Sequence, residues 1–205
     1  SKLANCQGLI TSNNNRFLRY WWEVKDIGTR WYKYAKGGPY NKWYGNDWLL
    51  VDWENNGSRI KNFCDENGKQ KSRPQNEQFY FTEGITYCST GSKGASYRLL
   101  SDDHLFDSGG SSIFCKNVVD TYYVLGLLNS RLSSYIVDCL NPTVNTQVGD
   151  IGRIPIEIAV GDNYNTIVLL SKDNVTVKEY IYKYSIVEEN FKESHSRDLM
   201  EFEEH

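Results

Sequence analysis

The first 118 residues alternate between short runs of aromatic and β-branched residues and turns rich in Gly, Asn and Asp. Such runs are typical of β-strands, and the Gly and Asn residues between them supply the left-handed backbone that tight turns need. The runs are RFLRYWWEV (16–24), RWYKY (30–34), WLLVDWE (48–54), QFYFTEGITYC (78–88), ASYRLL (95–100) and SSIFC (111–115). Strands at this spacing predict a sheet-rich domain with a mixed or partly barrel-like sheet.

A helical period replaces this pattern between residues 120 and 140. Apolar residues recur there every three or four positions, which places them on one face of a helix. They are Leu125, Leu128, Leu132, Ile136 and Cys139. Asp120 is a suitable N-cap and Pro142 ends the helix, while Val119 and Val124 are placed to form a hydrophobic staple. The chain therefore predicts one long amphipathic helix and, with the strands, an α+β fold.

The pattern is ambiguous beyond residue 156. The stretch TIVLLSKDNVTVKEYIYKYSIVEENF (166–191) fits either a helix or a strand, and the acidic end, residues 201–205, is expected to fray. We therefore expect a domain of residues 1–156 followed by a small C-terminal extension, residues 157–205, whose structure stays open.

Charge is distributed unevenly along the chain. Residues 1–100 hold 15 Lys and Arg against 9 Asp and Glu, whereas residues 101–205 hold 8 against 17, for an overall charge of −3. A basic half that faces a polyanion would explain this asymmetry. An uneven but merely solvated surface explains it equally well.

Cysteines and apolar runs indicate the environment of the chain. The five cysteines stand singly at 6, 64, 88, 115 and 139, with no Cys-x-x-Cys pair and no His at a ligand spacing. This pattern argues against a zinc site or a disulfide framework and is typical of a reducing cytoplasm. No apolar run approaches the roughly 20 residues of a membrane-spanning helix, and no signal peptide is recognisable. We therefore expect a cytoplasmic protein with no membrane partner.

Motifs for catalysis and metal binding are absent from the sequence. It has no Gly-rich phosphate loop, no His-Glu-x-x-His and no Gly-x-Ser-x-Gly. We interpret residues 102–104, Asp-Asp-His, as a polar turn before a strand. Asp52 and Glu54 alternate with apolar residues, so we expect both carboxylates on the exposed face of a strand. The chain is expected to hold no catalytic residue, metal or cofactor of its own.

Residues 141–144 begin like the Asn-Pro-Pro-Tyr turn with which adenine methyltransferases hold an extruded base, but they read Asn-Pro-Thr-Val. The second proline and the aromatic ring that would stack on the base are both missing. The segment also follows a predicted helix, whereas the catalytic turn follows a strand. We interpret Asn141-Pro142 as a helix stop.

Longer sequence blocks carry a more specific signal. They are GLITSNNNRFLRYWWEV (8–24), KGGPYNKWYGNDWLLVDWENNGSRIKNF (36–63), SRPQNEQFYFTEGITY (72–87), FDSGGSSIF (106–114), YYVLGLLNSRLSSYI (122–136) and LNPTVNTQVGDIGRIPI (140–156). In this order they resemble the C-terminal specificity region of large adenine-specific DNA methyltransferases, above all the PglX-type enzymes of BREX phage-defence systems. That region is similar to TaqI-like specificity domains and, more distantly, to the target recognition domains of type I restriction specificity subunits.

The resemblance implies a DNA target-recognition domain that lies beside a separate catalytic domain in the same parent chain. Such a domain clasps double-stranded DNA so that one adenine is flipped into the catalytic pocket. S-adenosylmethionine and the catalytic turn are then expected in the catalytic part of the parent chain.

Target recognition requires cations for phosphates and bidentate side chains for base edges. Lys36 beside two glycines and Lys93 within Gly-Ser-Lys-Gly are the expected phosphate contacts, because glycine loops let the backbone approach closely. Arg73, Gln75 and Asn76 surround a stiff proline and suit base edges. The full set of candidate DNA-binding residues is Arg16, Arg19, Lys33, Lys36, Lys42, Arg59, Lys61, Arg73, Gln75, Asn76, Lys93 and Arg98, and Lys71 is a further cation of the basic half. For Lys36 and Lys93 the alternative interpretation is an ordinary solvated turn lysine, and for Arg73, Gln75 and Asn76 it is a loop that precedes a strand.

The six tryptophans suggest a different class of function, an aromatic-rich module that binds carbohydrate or protein. Trp21, Trp31, Trp48 and Trp53 lie inside predicted strands, so we expect them in the core. Trp43 is flanked by turn residues and is expected to be exposed. A continuous positive surface would favour DNA, and an exposed aromatic patch would favour this alternative.

Overall fold

The computed structural model describes residues 3–91, 93–116, 120–143, 145–188 and 191. The strands in these residues are β1 (Leu3–Cys6), β2 (Leu18–Tyr20), β3 (Trp31–Ala35), β4 (Leu49–Asp52), β5 (Gly84–Tyr87), β6 (Tyr97–Leu100), β7 (His104–Phe106) and β8 (Ser112–Cys115). The α-helices are α1 (Asn14–Phe17), α2 (Glu54–Lys61), α3 (Thr121–Leu128), α4 (Arg131–Leu140), α5 (Val148–Ile151) and α6 (Asp162–Tyr182). Short 3₁₀ turns span Trp21–Glu23 and Glu77–Phe79.

The described strands form two four-stranded sheets, and neither closes into a barrel. The first sheet has the order β1-β8-β5-β6, with antiparallel pairing throughout. The second has the order β2-β4-β3-β7, in which β3 and β7 are parallel. The predicted α+β fold class is confirmed, and the mixed sheet is the second one.

The first sheet is covered on both faces. Side chains of successive strand residues point to opposite faces, and here both sets are buried. Ile85 and Ile113 join a core with α3 and α6, whereas Leu100 and Phe114 join a core with the second sheet. The molecule therefore has three layers, with the second sheet on one side of the first and the helices on the other.

The predicted helix over 120–140 forms as two helices, α3 and α4. Asp120 caps α3 as expected, with its carboxylate accepting the Tyr122 amide at 2.7 Å. The break falls at Asn129, whose side chain makes two hydrogen bonds to the backbone of Tyr97 in β6 (2.9 and 3.2 Å). Ser130 then caps α4. Asn129 thus ends the first helix because its side chain hydrogen-bonds to the backbone of a strand. Hydrophobic periodicity alone does not reveal such a contact. Val119 of the predicted staple lies outside the described residues.

Most of the segment that the sequence left open is the long helix α6. It packs on α3 and adds Val175 to the second core, with the ring of Tyr164 stacked on Tyr123 at 4.5 Å. Its packing on α3 is close because Gly126 faces Ser171 and Ile167 without a side chain. The division between residues 1–156 and 157–205 stays a prediction. Among the described residues, no helix combines the length and apolar character needed to cross a membrane.

The contact between α3 and α6 can be tested at Gly126. A Cβ there would collide with Ser171 Oγ and lie 3.0 Å from Ile167 Cγ2. We expect Gly126→Leu to lower the free energy of unfolding by about 1–3 kcal/mol, since overpacked cores lose this much. Gly149→Leu is the matched control, because its Cβ meets no atom within 4 Å. Urea denaturation of both variants measures the effect, and equal stabilities would contradict close packing at this contact.

Candidate nucleic-acid interface

A polar groove lies at one end of the first sheet, where the loops after β1 and β5 meet the loop before β8. These ends coincide because β8 is antiparallel to both neighbours. Residues 145–149 complete the groove, with the Thr146 amide donating to the Ser89 carbonyl at 2.8 Å. The cavity has a volume of about 360 Å³. It is lined by Gln7, Ser89, Thr90, Ser108, Ser111, Asn145, Thr146, Gln147, Val148 and Gly149.

The lining of this cavity is polar without being charged. Most of its side chains are hydroxyls and amides, which can both donate and accept hydrogen bonds. Such groups suit phosphate oxygens and base edges alike. The chemistry of the cavity therefore matches a nucleic acid better than it matches an apolar ligand.

The groove continues past Thr90 into a second cavity of about 330 Å³. Thr90 lines both cavities, and we call the two together the Thr90 groove. The second part is lined by Gly38, Pro39, Tyr40, Cys88, Thr90, Gly91, Lys93, Gly94 and Ser96. Lys93 is exposed there, and no ion pair to a described residue engages its ammonium group. The sequence singled out Lys93 as a phosphate contact, and the fold brings it to the groove.

The segment 73–76 adjoins the Thr90 groove at Gln7. Arg73 pairs with Ile10 through backbone hydrogen bonds of 2.8 and 3.0 Å, and its side chain is exposed. The amide groups of Gln75 and Asn76 donate to the carbonyls of Gly8 (3.1 Å) and Gln7 (2.9 Å). The side chains of Gln75 and Asn76 therefore order the loop. Arg73 is the charged member of the predicted trio, and its side chain is exposed to solvent.

Five predicted cations are already engaged within the protein. The contacts are Lys33 to Asp103 (3.0 Å), Lys36 to Asp107 (2.6 Å), Lys42 to the Asn129 carbonyl (2.8 Å), Arg59 to Asp52 (2.7 Å) and Lys61 to Glu77 (2.6 Å). A cation that is already engaged attracts phosphate less than a free one, so these side chains are weaker candidates for phosphate contacts than Arg73 and Lys93.

Arg16, Arg19 and Lys71 lie against aromatic rings. Arg16 and Lys71 sit over Phe63, and Arg19 sits over Trp31. The Arg19 guanidinium also donates to two backbone carbonyls at 2.6 and 2.8 Å. Arg19 and Lys36 line a separate cavity of about 390 Å³. None of these four cations lines the Thr90 groove.

Arg98 has a structural position that the sequence did not predict. It is only 1% exposed, and its guanidinium donates to the Gly37 carbonyl at 3.3 Å. Burial lowers the pKa of Arg98 from its ordinary value, against the opposing influence of Asp47 and Glu188. A guanidinium at this depth cannot reach a phosphate at the surface, so the expectation that Arg98 binds DNA is wrong. Both faces of β6 are covered, and this hides Arg98 although it alternates with apolar residues.

Asp52 is also buried, contrary to the expectation that it lies on an exposed strand face. Its side chain is 1% exposed and accepts from Arg30 at 3.0 Å and from Arg59 at 2.7 Å. The neighbouring Val51 is fully buried as well. Strand β4 is thus covered on both sides, and the two guanidinium groups make a buried carboxylate tolerable.

The chain is 33% identical over 168 residues to the adenine-specific methyltransferase PglX of Lacticaseibacillus casei, which covers 75% of this chain. It is also 33% identical over 161 residues to the adenine-specific methyltransferase BrxX of Escherichia coli, which covers 73% of this chain. The chain is related to PglX-type adenine-specific methyltransferases. No protein-family model matches it.

The chain spans only a small part of these relatives, 14% of the PglX protein and 13% of the BrxX protein. Within this part, Asn141-Pro142 lies at the end of α4. Asn141 ends α4 as predicted, and its amide donates to the Asn145 carbonyl (2.8 Å) and to Asp150 (2.7 Å). In the segment that this chain shares with PglX-type methyltransferases, Asn141 therefore orders the backbone between α4 and α5.

The burial of the six tryptophans differs in part from the prediction. Trp31 and Trp53 are buried as expected, and Trp21 and Trp48 are partly buried. Trp43 was expected to be exposed, but it is partly buried and bonds to the backbone of β6 through its own amide and carbonyl. Trp22 is the exposed tryptophan, at 49%, and its ring stacks on Tyr20 at 4.6 Å.

Asp102 and Asp103 form the predicted polar turn before β7, and the buried His104 that follows them contacts two carboxylates. It is the first residue of β7 and is 4% exposed. Its Nδ1 is 2.6 Å from Asp103 Oδ1, and its Nε2 is 3.4 Å from Asp47 Oδ1. Burial by itself would lower the pKa of His104, but the two carboxylates outweigh it and raise the pKa to about 9. His104 is therefore an imidazolium at neutral pH. Among the described residues, no group of three or more His, Cys, Asp and Glu could hold a metal ion.

The charge of His104 makes stability depend on pH. Because the pKa rises from 6.5 to about 9 on folding, the contribution is complete below pH 6.5 and disappears as the pH rises through 9. We expect the free energy of unfolding to fall by about 2 kcal/mol between pH 6 and pH 8.5, and His104→Gln to remove most of this decline. Urea denaturation across this range measures it. An imidazole resonance of His104 that titrates near pH 6.5 in NMR spectra would contradict the account.

Proposed function

We propose that the chain is the DNA target-recognition part of a BREX adenine-specific methyltransferase, and that the Thr90 groove holds the DNA. The observation that carries the proposal is the convergence of Thr90, Lys93 and the 145–149 segment at one end of the first sheet. The similarity to PglX and BrxX supports DNA as the ligand, because both relatives are named as adenine-specific methyltransferases.

The proposed division of work follows from the side chains in and beside the groove. Lys93 binds a phosphate as a free ammonium on a glycine-flanked turn, and Arg73 contacts phosphate or a guanine edge. The hydroxyls and amides from Ser89 to Gln147 bind the sugar-phosphate backbone and base edges. Gln75 and Asn76 support the loop that carries Arg73. The chain positions double-stranded DNA and leaves the chemistry to another domain.

Methyl transfer is assigned to a catalytic domain elsewhere in the parent chain. That domain supplies the Asn-Pro-Pro-Tyr turn and binds S-adenosylmethionine, while the groove fixes the DNA so that one adenine can be flipped. The relatives are about seven times longer than the segment they share with this chain, which leaves room for such a domain. In this proposal the protein acts in the cytoplasm, where phage DNA enters.

A second candidate function rests on the exposed Tyr20–Trp22 stack. Its parallel rings lie beside the cavity that Arg19 and Lys36 line. A carbohydrate or a protein loop could pack on such a surface. The stack is small, however, and the relatives are named for a reaction on adenine. The DNA-binding proposal therefore accounts for more of the observations.

Salt dependence of DNA binding tests the proposal. We expect the chain to bind duplex DNA with an affinity that falls as salt rises, by a slope of about 0.9 for each phosphate contact. Lys93→Ala and Arg73→Ala should each weaken binding and reduce that slope by about one phosphate. Lys172→Ala removes the same charge from an exposed position on α6 and serves as the control. Fluorescence anisotropy at several salt concentrations measures the slopes.

Two results would contradict the proposal. One is binding that does not change with salt, since phosphate contacts necessarily release counterions. The other is equal slopes for Lys93→Ala and Lys172→Ala, which would mean that general charge and not the Thr90 groove governs binding. Binding to an oligosaccharide array that is lost in Trp22→Ala would favour the second candidate instead.

A further inference from the structure

The C-terminal part of the described chain crosses the turn that precedes β4. Residues 183–188, which we call the strap, follow α6 and run beside residues 44–47. Gly45 lies directly under the ring of Tyr182, where a side chain at Gly45 would overlap that ring. At the far end of the strap, Trp21 Nε1 donates to the Val187 carbonyl at 3.1 Å. The strap is therefore fixed to the domain at both ends.

Glu188 makes the most specific contact of the strap. It is 2% exposed, and its two carboxylate oxygens accept the successive backbone amides of Asn46 (3.1 Å) and Asp47 (2.9 Å). Asn46 has a positive φ of 72°, a conformation that turns successive amides toward one point. Such a pair of amides forms a small anion-binding nest. Glu188 fills this nest.

A carboxylate at this position requires compensation. Burial raises the pKa of Glu188, and the charge of Asp47 adds to this, while hydrogen bonds from the two amides and the charge of Arg98 act in the opposite direction. Nε and Nη1 of the buried Arg98 have no hydrogen-bond partner among the described residues. Removal of Glu188 would leave the Asn46 and Asp47 amides without their acceptor, and Arg98 would keep Asp47 but lose one of its two nearby carboxylates, so the contact has a large influence on the turn.

The turn held by Glu188 supports one wall of the Thr90 groove. The side-chain amide of Asn46 donates to the carbonyls of Gly37 (3.3 Å) and Pro39 (3.1 Å). Gly38, Pro39 and Tyr40 line the part of the groove that also contains Lys93. Contacts therefore run without interruption from the Glu188 carboxylate through Asn46 to this wall.

We propose that Glu188 is a positioning residue for DNA binding, which holds the Gly38–Tyr40 wall in place opposite Lys93 through Asn46. This role rests on the proposed function of the groove. Glu188 touches no DNA, and its effect reaches the ligand through the loop it orders. The strap thereby makes the shape of the groove depend on the chain that follows α6.

Glu188→Gln tests this role with little change in size. The new amide can accept from one of the two backbone amides, but its NH₂ group would face the other donor. Glu157→Gln is the matched control, because it removes the same charge from an exposed position. Affinity for duplex DNA is measured at a temperature at which unfolding curves show every variant to be folded, and hydrogen exchange reports on the amides of residues 46 and 47.

In Glu188→Gln we expect DNA affinity at least threefold below that of Glu157→Gln, together with faster exchange of the Asn46 and Asp47 amides. Equal affinities would overturn the role. Tighter binding by Glu188→Gln would overturn it too, since Glu188 would then compete with a phosphate for the nest. If the unaltered chain binds no DNA, the proposed function fails first. If it binds and the two variants agree, only the role of Glu188 fails.

A milder variant covers the case in which Glu188→Gln does not fold. Trp21→Phe removes the bond from Trp21 Nε1 to the Val187 carbonyl and loosens the strap, but leaves the Glu188 carboxylate intact. We expect a smaller loss of affinity in the same direction, with the same two amides exchanging faster. Unchanged affinity and unchanged exchange in this variant would contradict the proposal.

Discussion

The rest of the structure depends on the burial of the first sheet on both faces. Successive side chains of its strands point to opposite faces, so that Ile85 and Ile113 pack on the helices while Leu100 and Phe114 pack on the second sheet. Neither layer can be removed without exposing one set of these side chains to water. The same constraint forces Arg98 into the interior, because its face of β6 is covered. The loops at one end of this sheet stay polar, and they form the Thr90 groove.

Charged side chains, several of them buried, form the second level of organisation. Arg98 is buried near Asp47 and Glu188, the buried His104 contacts Asp47 and Asp103, and Lys33 pairs with the half-exposed Asp103. A buried ion that loses its partner is strongly destabilising, whereas a matched set contributes little net stability. We therefore interpret these charges as fixing the geometry of loops rather than adding stability. The strap and the wall of the groove are joined through Glu188 and Asn46, which links the end of α6 to the proposed DNA surface.

Much of the fold could be predicted from local patterns. The aromatic runs indicated strands, Asp120 indicated a helix start and Asn141-Pro142 indicated a helix end, because each depends on neighbours in sequence. The break at Asn129, the burial of Asp52 and the position of Arg98 depend on distant segments that cover them. For the candidate site, the local pattern singled out Lys93 by its glycine-flanked turn, and the structure places Lys93 at the groove. The uncharged lining from Asn145 to Gly149 could be located only from the meeting of strand ends.

We propose the Thr90 groove as the DNA-binding face of the molecule. The most direct measurement is an NMR titration of the ¹⁵N-labelled chain with duplex DNA, which reports the residues whose amide environment changes. The account predicts shifts concentrated at Gln7, Ser89 to Lys93, Ser108 to Ser111 and Asn145 to Gly149, with little change on the outer face of α6. Shifts centred on Tyr20 and Trp22, with the groove unaffected, would contradict it.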